Sequence, residues 1–324
     1  MKKQFYMGRL VKPASNMIIA MLMLLPLIGV AQPLLAAPSD LSRPPTLPWE
    51  TLKFEGSKFL ISLDAEIKQE IISQSQAIEE LYQQETEQAK PKQPNADWVI
   101  KTQIKTEVLG NKSHYTAWHN PDLEILQRTT LYSGFNNWYR NYRFMADQVH
   151  SQKIEPAAGE NDKPWYQWSD IRSSLHDYRP ASESLQGIYQ SMALSESAAI
   201  FSALTAIKEV DDRQTLQIFN RRGNFVVTLT AYDSRSIKAA FQQRVDDKKS
   251  KRNYRAKALA IRVDAKPLDT QQKKTEFKFL GYKNSIVIYY DPELKLPLRL
   301  SGEVDYAGHV QIDLKKVRFS SEPK

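Results

Sequence analysis

The chain has 324 residues, 41% hydrophobic and 25% charged, and no cysteine, which excludes disulfides, thiolate metal sites, a cysteine nucleophile and a lipobox anchor. Its formal charge of +8 points to an anionic partner until Lys2, Lys3, Arg9 and Lys12 are set aside; 41 basic residues then face 37 acidic ones, a net +4. Spread that thinly, the charge argues against nucleic acid as a partner.

Those four cations precede an apolar run from Met17 to Ala31, and no acidic residue occurs before Asp40. A charged start, an apolar run and small residues at Gly29 and Ala31 predict a cleaved secretory signal peptide over residues 1–31, with Ala36 or Ala37 as a later site. The run of 15 residues includes Pro26 and falls short of the roughly 20 that span a bilayer. An uncleaved anchor is the alternative. Residues 32–48, with Pro33, Pro38, Pro44, Pro45 and Pro48, read as an extended leader. Residues 49–324 read as a single β-rich periplasmic domain, soluble or in peripheral contact with a membrane.

From Phe59 to Lys68 apolar and polar residues alternate, the period of a strand with one buried face. Ile78, Leu81 and Tyr82 mark a short amphipathic helix within Ser73–Lys90, which dissolves into the polar stretch Lys90–Asn95. Trp98–Val108 alternates again and turns at Gly110-Asn111 into Tyr115–Trp118, a hairpin. Strands follow at Leu123–Tyr132 and Trp138–Val149, then a loop over Glu155–Pro164. A helix over Ser195–Ile207, with Ser195 as N-cap, carries Ala198, Ile200, Phe201, Leu204 and Ile207 on one stripe. A start near Glu183 is the longer alternative.

Beyond Thr215 the pattern is nearly continuous antiparallel β: Leu216–Phe219, Phe225–Tyr232, Tyr254–Asp264, Glu276–Leu280, Ile286–Tyr290, Leu298–Val304 and His309–Phe319, joined by short turns. Turns that short cannot connect parallel strands. Lys248, Lys249, Lys251 and Arg252, just after Asp246 and Asp247, read as a solvated loop. The candidate rows carry charge or alanine where the lipid-facing rows of an outer-membrane barrel are uniformly apolar.

The run Gly281-Tyr282-Lys283-Asn284, then Ile286 to Pro292, then Leu296-Pro297-Leu298-Arg299-Leu300 and Gly308 resembles the closing signature of an uncharacterised family of exported Gram-negative proteins. The helix at Ser197–Phe201 and the hairpin over Phe219–Val227 fit the same layout. The resemblance implies a curved antiparallel sheet or half-open barrel with a helix packed on its concave face, similar to the periplasmic lipoprotein-carrier fold. It implies no activity. Asp291-Pro292 and Leu296-Pro297 then set turn geometry, and Arg299 faces away from Leu298 and Leu300, as a salt-bridge partner or a ligand contact.

No residues form a catalytic or metal signature. His114 and His119, five apart on one strand, point to opposite faces. His176-Asp177 near Ser173 and Ser174 is a fragment of a triad without its geometry. The 11 glycines include neither a serine elbow nor a phosphate-cradling loop. Tyr132, Phe135, Trp138, Tyr139, Tyr142 and Phe144 interleave with Arg140 and Arg143, and Trp165-Tyr166-Gln167-Trp168 follows; these are ordinary strand and lip residues or a stacking platform for sugars or bases.

The expectation is therefore a non-enzymatic periplasmic protein without metal or cofactor, binding a lipid-like or amphipathic envelope ligand or an envelope protein. Ile200, Phe201, Leu204, Trp138, Trp165, Trp168 and Arg299 are the candidate ligand contacts. An assembly or scaffold factor is the alternative, followed by a glycan-binding protein or hydrolase.

Overall fold

The computed structural model describes residues 44–58, 61–83, 90–108, 110–178, 192–221, 223–268, 276–305 and 307–320. The expected signal peptide, the leader up to residue 43 and the chain around Glu183 lie outside the described residues. No helix among the described residues is long and apolar enough to cross a membrane.

Among the described residues, fifteen strands form one large, mainly antiparallel sheet. The first eight are β1 (Thr51–Lys58), β2 (Ile61–Ser73), β3 (Trp98–Val108), β4 (Asn111–His119), β5 (Ile125–Ser133), β6 (Trp138–Phe144), β7 (Gln148–Glu155) and β8 (Asp170–Asp177). Each pairs antiparallel with the next, a meander ending at β8. The rest are β9 (Leu194–Ser195), β10 (Arg213–Ile218), β11 (Phe225–Val245), β12 (Lys248–Pro267), β13 (Val287–Asp291), β14 (Leu296–Val304) and β15 (Gly308–Phe319). The last strand, β15, pairs with β1, so the two ends of the domain meet in the middle of the sheet.

Two short pairings are parallel and depart from the expected pattern. β9 runs beside β10 over two residues, and Gln242–Val245 of β11 runs beside Lys316–Phe319 of β15. Hydrogen-bonded neighbours from β11 through β15 thereby return to β11. The β11–β15 contact arises because β11 is long enough to outrun its neighbour β10, a length matched by its partner β12.

Several local expectations are corrected. Lys248, Lys249, Lys251 and Arg252 are the first rungs of β12, not a loop, because Val245 pairs with Lys248 across the turn Asp246-Asp247. Asp246 supplies the left-handed backbone there, φ 51°, which Asp tolerates. Trp138–Val149 breaks at Met145–Asp147 into β6 and β7. The segment Glu276–Leu280 forms only an isolated bridge, Phe279 to Tyr282, around Leu280 and Gly281 at φ 51° and 87°. β1 and β8 form where the sequence shows no full apolar alternation.

The first helix is α1 (Gln74–Glu80), whose N-cap Ser73 accepts the Gln76 N–H at 3.2 Å. The second is shorter than the expected Ser195–Ile207: α2 covers Ala199–Ala203, continued by a single 3-10 turn at Leu204–Ala206. Ser195 is not its N-cap, because its backbone is extended in β9 and its carbonyl accepts the Phe219 N–H.

The main core contains Leu52, Phe54, Ile67, Ala117, Ile125 and Tyr142 together with Ile200, Phe201 and Leu204 of α2. A second cluster joins Ala77 and Leu81 with Ile72, Val99, Trp118 and Leu126 beside α1. Ala117 and Trp118 are neighbours on one strand, as are Ile125 and Leu126, so they face opposite ways. The two helices therefore cover opposite faces of the meander.

Candidate functional site

The short segment from β9 into α2 holds an ionised carboxylate inside the protein. Glu196 is 3% exposed, and burial of an unpaired charge is prohibitive, so its partners decide whether the segment can sit there at all. Arg128 on β5 meets it at 2.5 Å. The Tyr115 hydroxyl on β4 and the Ser197 hydroxyl both donate to its other oxygen, the latter at 2.7 Å, and the Ala198 N–H adds a contact at 3.3 Å. Burial pushes the Glu196 carboxyl up, but the charge of Arg128 and the hydrogen bonds from Tyr115, Ser197 and Arg128 outweigh it and hold the carboxyl below its ordinary value.

Arg128 is fixed in turn by aromatic rings. Its guanidinium lies 4.4 Å from the Tyr142 ring centroid and 5.5 Å from that of Phe219, and the two rings meet edge to face at 5.4 Å. Burial lowers the Tyr115 hydroxyl's acidity, raising its pKa well above the ordinary value, and Glu196 adds to the effect. His119 is 1% exposed on the same strand. Burial depresses its pKa to about 4 against the opposing pull of Glu196. At neutral pH the group is therefore a carboxylate and guanidinium beside a neutral imidazole and a protonated phenol.

Polar side chains continue along this inner face. Gln69 donates to the Thr102 hydroxyl at 3.3 Å and to the Ser202 hydroxyl of α2 at 3.1 Å. Ser195 Oγ and both amide atoms of Gln217, on the paired strands β9 and β10, are buried without a hydrogen-bond partner. The sequence does not single out Glu196, Arg128 or Tyr115, and His119 stands out there only beside His114, as a metal ligand that the spacing argues against. The only local signal was an acidic residue immediately before an apolar stripe.

The anticipated contacts fall in three places. Ile200, Phe201 and Leu204 are at most 2% exposed, with Phe201 packed on Trp49 at 6.1 Å and Phe279 at 5.4 Å. Trp138 stacks on Tyr132 at 5.4 Å, while Trp165 stacks on Tyr139 at 3.8 Å. Because Trp138 and Tyr139 are consecutive on β6, these two stacks lie on opposite faces and do not form one platform. Trp168 is buried and donates its indole N–H to the Lys163 carbonyl at 3.0 Å. Arg299, half-buried between Leu298 and Leu300, pairs with Asp313 at 2.6 Å.

The residues weighed for chemistry are also placed. Ser174 Oγ and His176 Nε2 lie 2.7 Å apart on the exposed edge strand β8, but Asp177 accepts from Gln148 at 2.8 Å rather than orienting the imidazole. Among the described residues no group of three His, Asp or Glu side chains is arranged to hold a metal ion. The open clefts beside Phe225 and Phe277, over Gln242 and Lys316, beside Gly56 and His309, and beside Lys105 and His114 do not reach α2. Compared with known proteins, the chain matches no family model, no curated protein and no solved structure.

Proposed function

We propose that the protein is a non-enzymatic envelope protein, exported by a signal peptide cleaved after residue 31, that binds an apolar or amphipathic ligand such as a lipid or a lipoprotein chain. On this reading the sheet curves into a half-open barrel, and α2 sits on its concave side in the place the ligand takes. The likeness of the closing segment Gly281–Gly308 to the exported family supports the same compartment and fold.

The observation that carries the reading is α2 itself. It has five residues, far fewer than the roughly 12 to 15 at which an isolated helix holds in water. Three of the apolar side chains on α2 and its 3-10 extension are nonetheless wholly buried. Such a segment stays in place through apolar contact, the Glu196 ion pair and the Gln69 bond to Ser202, with little helical stability of its own, so an acyl chain can replace it as a unit. The unpartnered Ser195 hydroxyl and Gln217 amide beside it suit a polar headgroup.

A second reading, an assembly or scaffold factor without a small ligand, draws on the packing of Phe201 against Trp49 and Phe279, which fills the interior with the protein's own side chains. Mass spectrometry of lipid extracted from protein purified out of the envelope separates the two. Acyl lipid should copurify with wild type and be lost from a Phe201→Glu variant that still melts cooperatively. Wild-type protein that never carries lipid removes the carrier and leaves the assembly factor. Intact mass from the same sample should place the mature N-terminus between Gln32 and Pro38.

A further inference from the structure

The cations that read as a solvated loop are instead aligned in rows on a sheet. Across β12, β11, β15 and β1 one row reads Lys251, Gln242, Lys316, Lys53, and the next reads Lys249, Arg244, Arg318, Thr51. Partners in register share a face, and the alternating residues Phe241, Val317 and Phe319 are buried on the other side. Six cations therefore stand outward on neighbouring strands, about 4.8 Å apart across the sheet and about 6.6 Å apart along it.

Their charge is only partly neutralised. Arg244 meets Asp247 at 2.6 Å, Arg318 meets Glu50 at 2.8 Å and Lys53 meets Glu55 at 3.4 Å. Lys249, Lys251 and Lys316 are exposed and have no ion pair among the described residues. An open cleft of about 660 Å³ runs over them, lined by five cations and no carboxylate.

We propose that this face docks the protein on an anionic phospholipid surface. The three free cations are lysines, compact point charges on flexible stems that follow mobile headgroups, rather than the rigid forks that select one phosphate. The Gln243 Oε1 lining the cleft is buried without a partner, but it is an acceptor and does not mark out a site for one small anion. Phe241 and Tyr254, the rings of β11 and β12 beside these cations, pack against each other on the opposite side, so the face offers no base-stacking surface there of the kind single-stranded nucleic acid uses. The proposal is independent of what the interior binds.

Co-sedimentation of the full mature chain with phosphatidylglycerol-containing vesicles, pure phosphatidylcholine vesicles and soluble polyphosphate tests it. Wild type should partition onto the anionic vesicles only and be released as ionic strength rises. Lys249→Gln with Lys251→Gln and Lys316→Gln should lower that partition about 100-fold, at several-fold per lysine, with an unchanged melt because all three side chains are exposed. The charge-matched triple Lys112→Gln, Lys208→Gln and Lys295→Gln should stay within a few-fold of wild type. Equal loss in both triples, or polyphosphate binding without vesicle partition, overturns the proposal.

Discussion

Arg128 and Arg143 stand on paired strands, one residue out of step in register, and leave opposite faces of the sheet. Arg128, on the α2 side, meets a buried carboxylate and two aromatic rings. Arg143, on the α1 side, is fully buried and meets only backbone carbonyls: Leu126 at 2.7 Å, Lys92 at 2.5 Å, Tyr82 at 3.0 Å and Phe144 at 3.4 Å. Burial lowers its pKa to about 10, still charged at neutral pH. The contrast shows two ways to bury a cation. A counter-ion makes a tether that fails when either charge is lost, whereas carbonyl dipoles make a clamp that leaves no orphan charge when it is cut.

The largest expected effect breaks the tether. Glu196→Ala leaves Arg128 buried without a counter-ion and should cost about 3 to 5 kcal/mol, read from the urea midpoint. Arg128→Met combined with Glu196→Gln should recover much of that loss. A double variant as unstable as the single one breaks the comparison.

Acid should weaken the same face. His119 has a folded value of about 4 against an ordinary 6.5, so between those values the unfolded chain binds the extra proton and stability falls as pH drops. The loss is about 3 kcal/mol across that window. The lowered Glu196 carboxyl acts in the same direction at lower pH, since its contribution is present above the ordinary carboxylate range and lost as pH falls through its folded value. Denaturation curves at successive pH values should show the slope flattening in His119→Gln.

Cutting the clamp should cost less than cutting the tether. Arg143→Met deprives four carbonyls of one donor each but strands no charge, for about 2 kcal/mol. Hydrogen exchange should quicken in the chain around Tyr82 and Lys92, which the guanidinium holds to β6. Smallest of all, Ser73→Ala removes the α1 cap and should lower stability by about 1 kcal/mol, with faster exchange confined to Gln74–Glu80. Loss of exchange protection at α2 in that variant would mean the two faces are not independent.

Much of the fold was legible wherever a strand has one buried and one exposed face. Trp98–Val108 and Leu298–Val304 show that alternation, and their turns sit at Gly110, whose φ of 78° suits glycine, and at residues 292–295, where the Asp291 carboxylate accepts the Glu293 and Leu294 N–H groups. Legibility failed where partners lie far apart in sequence. The outer half of the β11–β12 hairpin carries too many lysines to look like a strand, and it is strand only because each residue has a register partner and β15 lies alongside. The Ser195–Ile207 stripe revealed a buried apolar face but not how short its helix is, because the extended backbone of Ser195 is imposed by β10.

The sequence by itself determined the β-rich class, the turns marked by glycine or proline at Gly110 and Pro292, the absence of cysteine chemistry and the apolar face of α2, because these depend on residue type and on spacing within a few positions. Tertiary structure alone decided which charges meet. Glu196 is 68 residues from Arg128 and 81 from Tyr115, and nothing in the local pattern of any of the three anticipates the others. A buried carboxylate is tolerable here only because the sheet brings a guanidinium and the Tyr115 hydroxyl to it at hydrogen-bond distance, and a row of lysines becomes a surface only when four strands come into register.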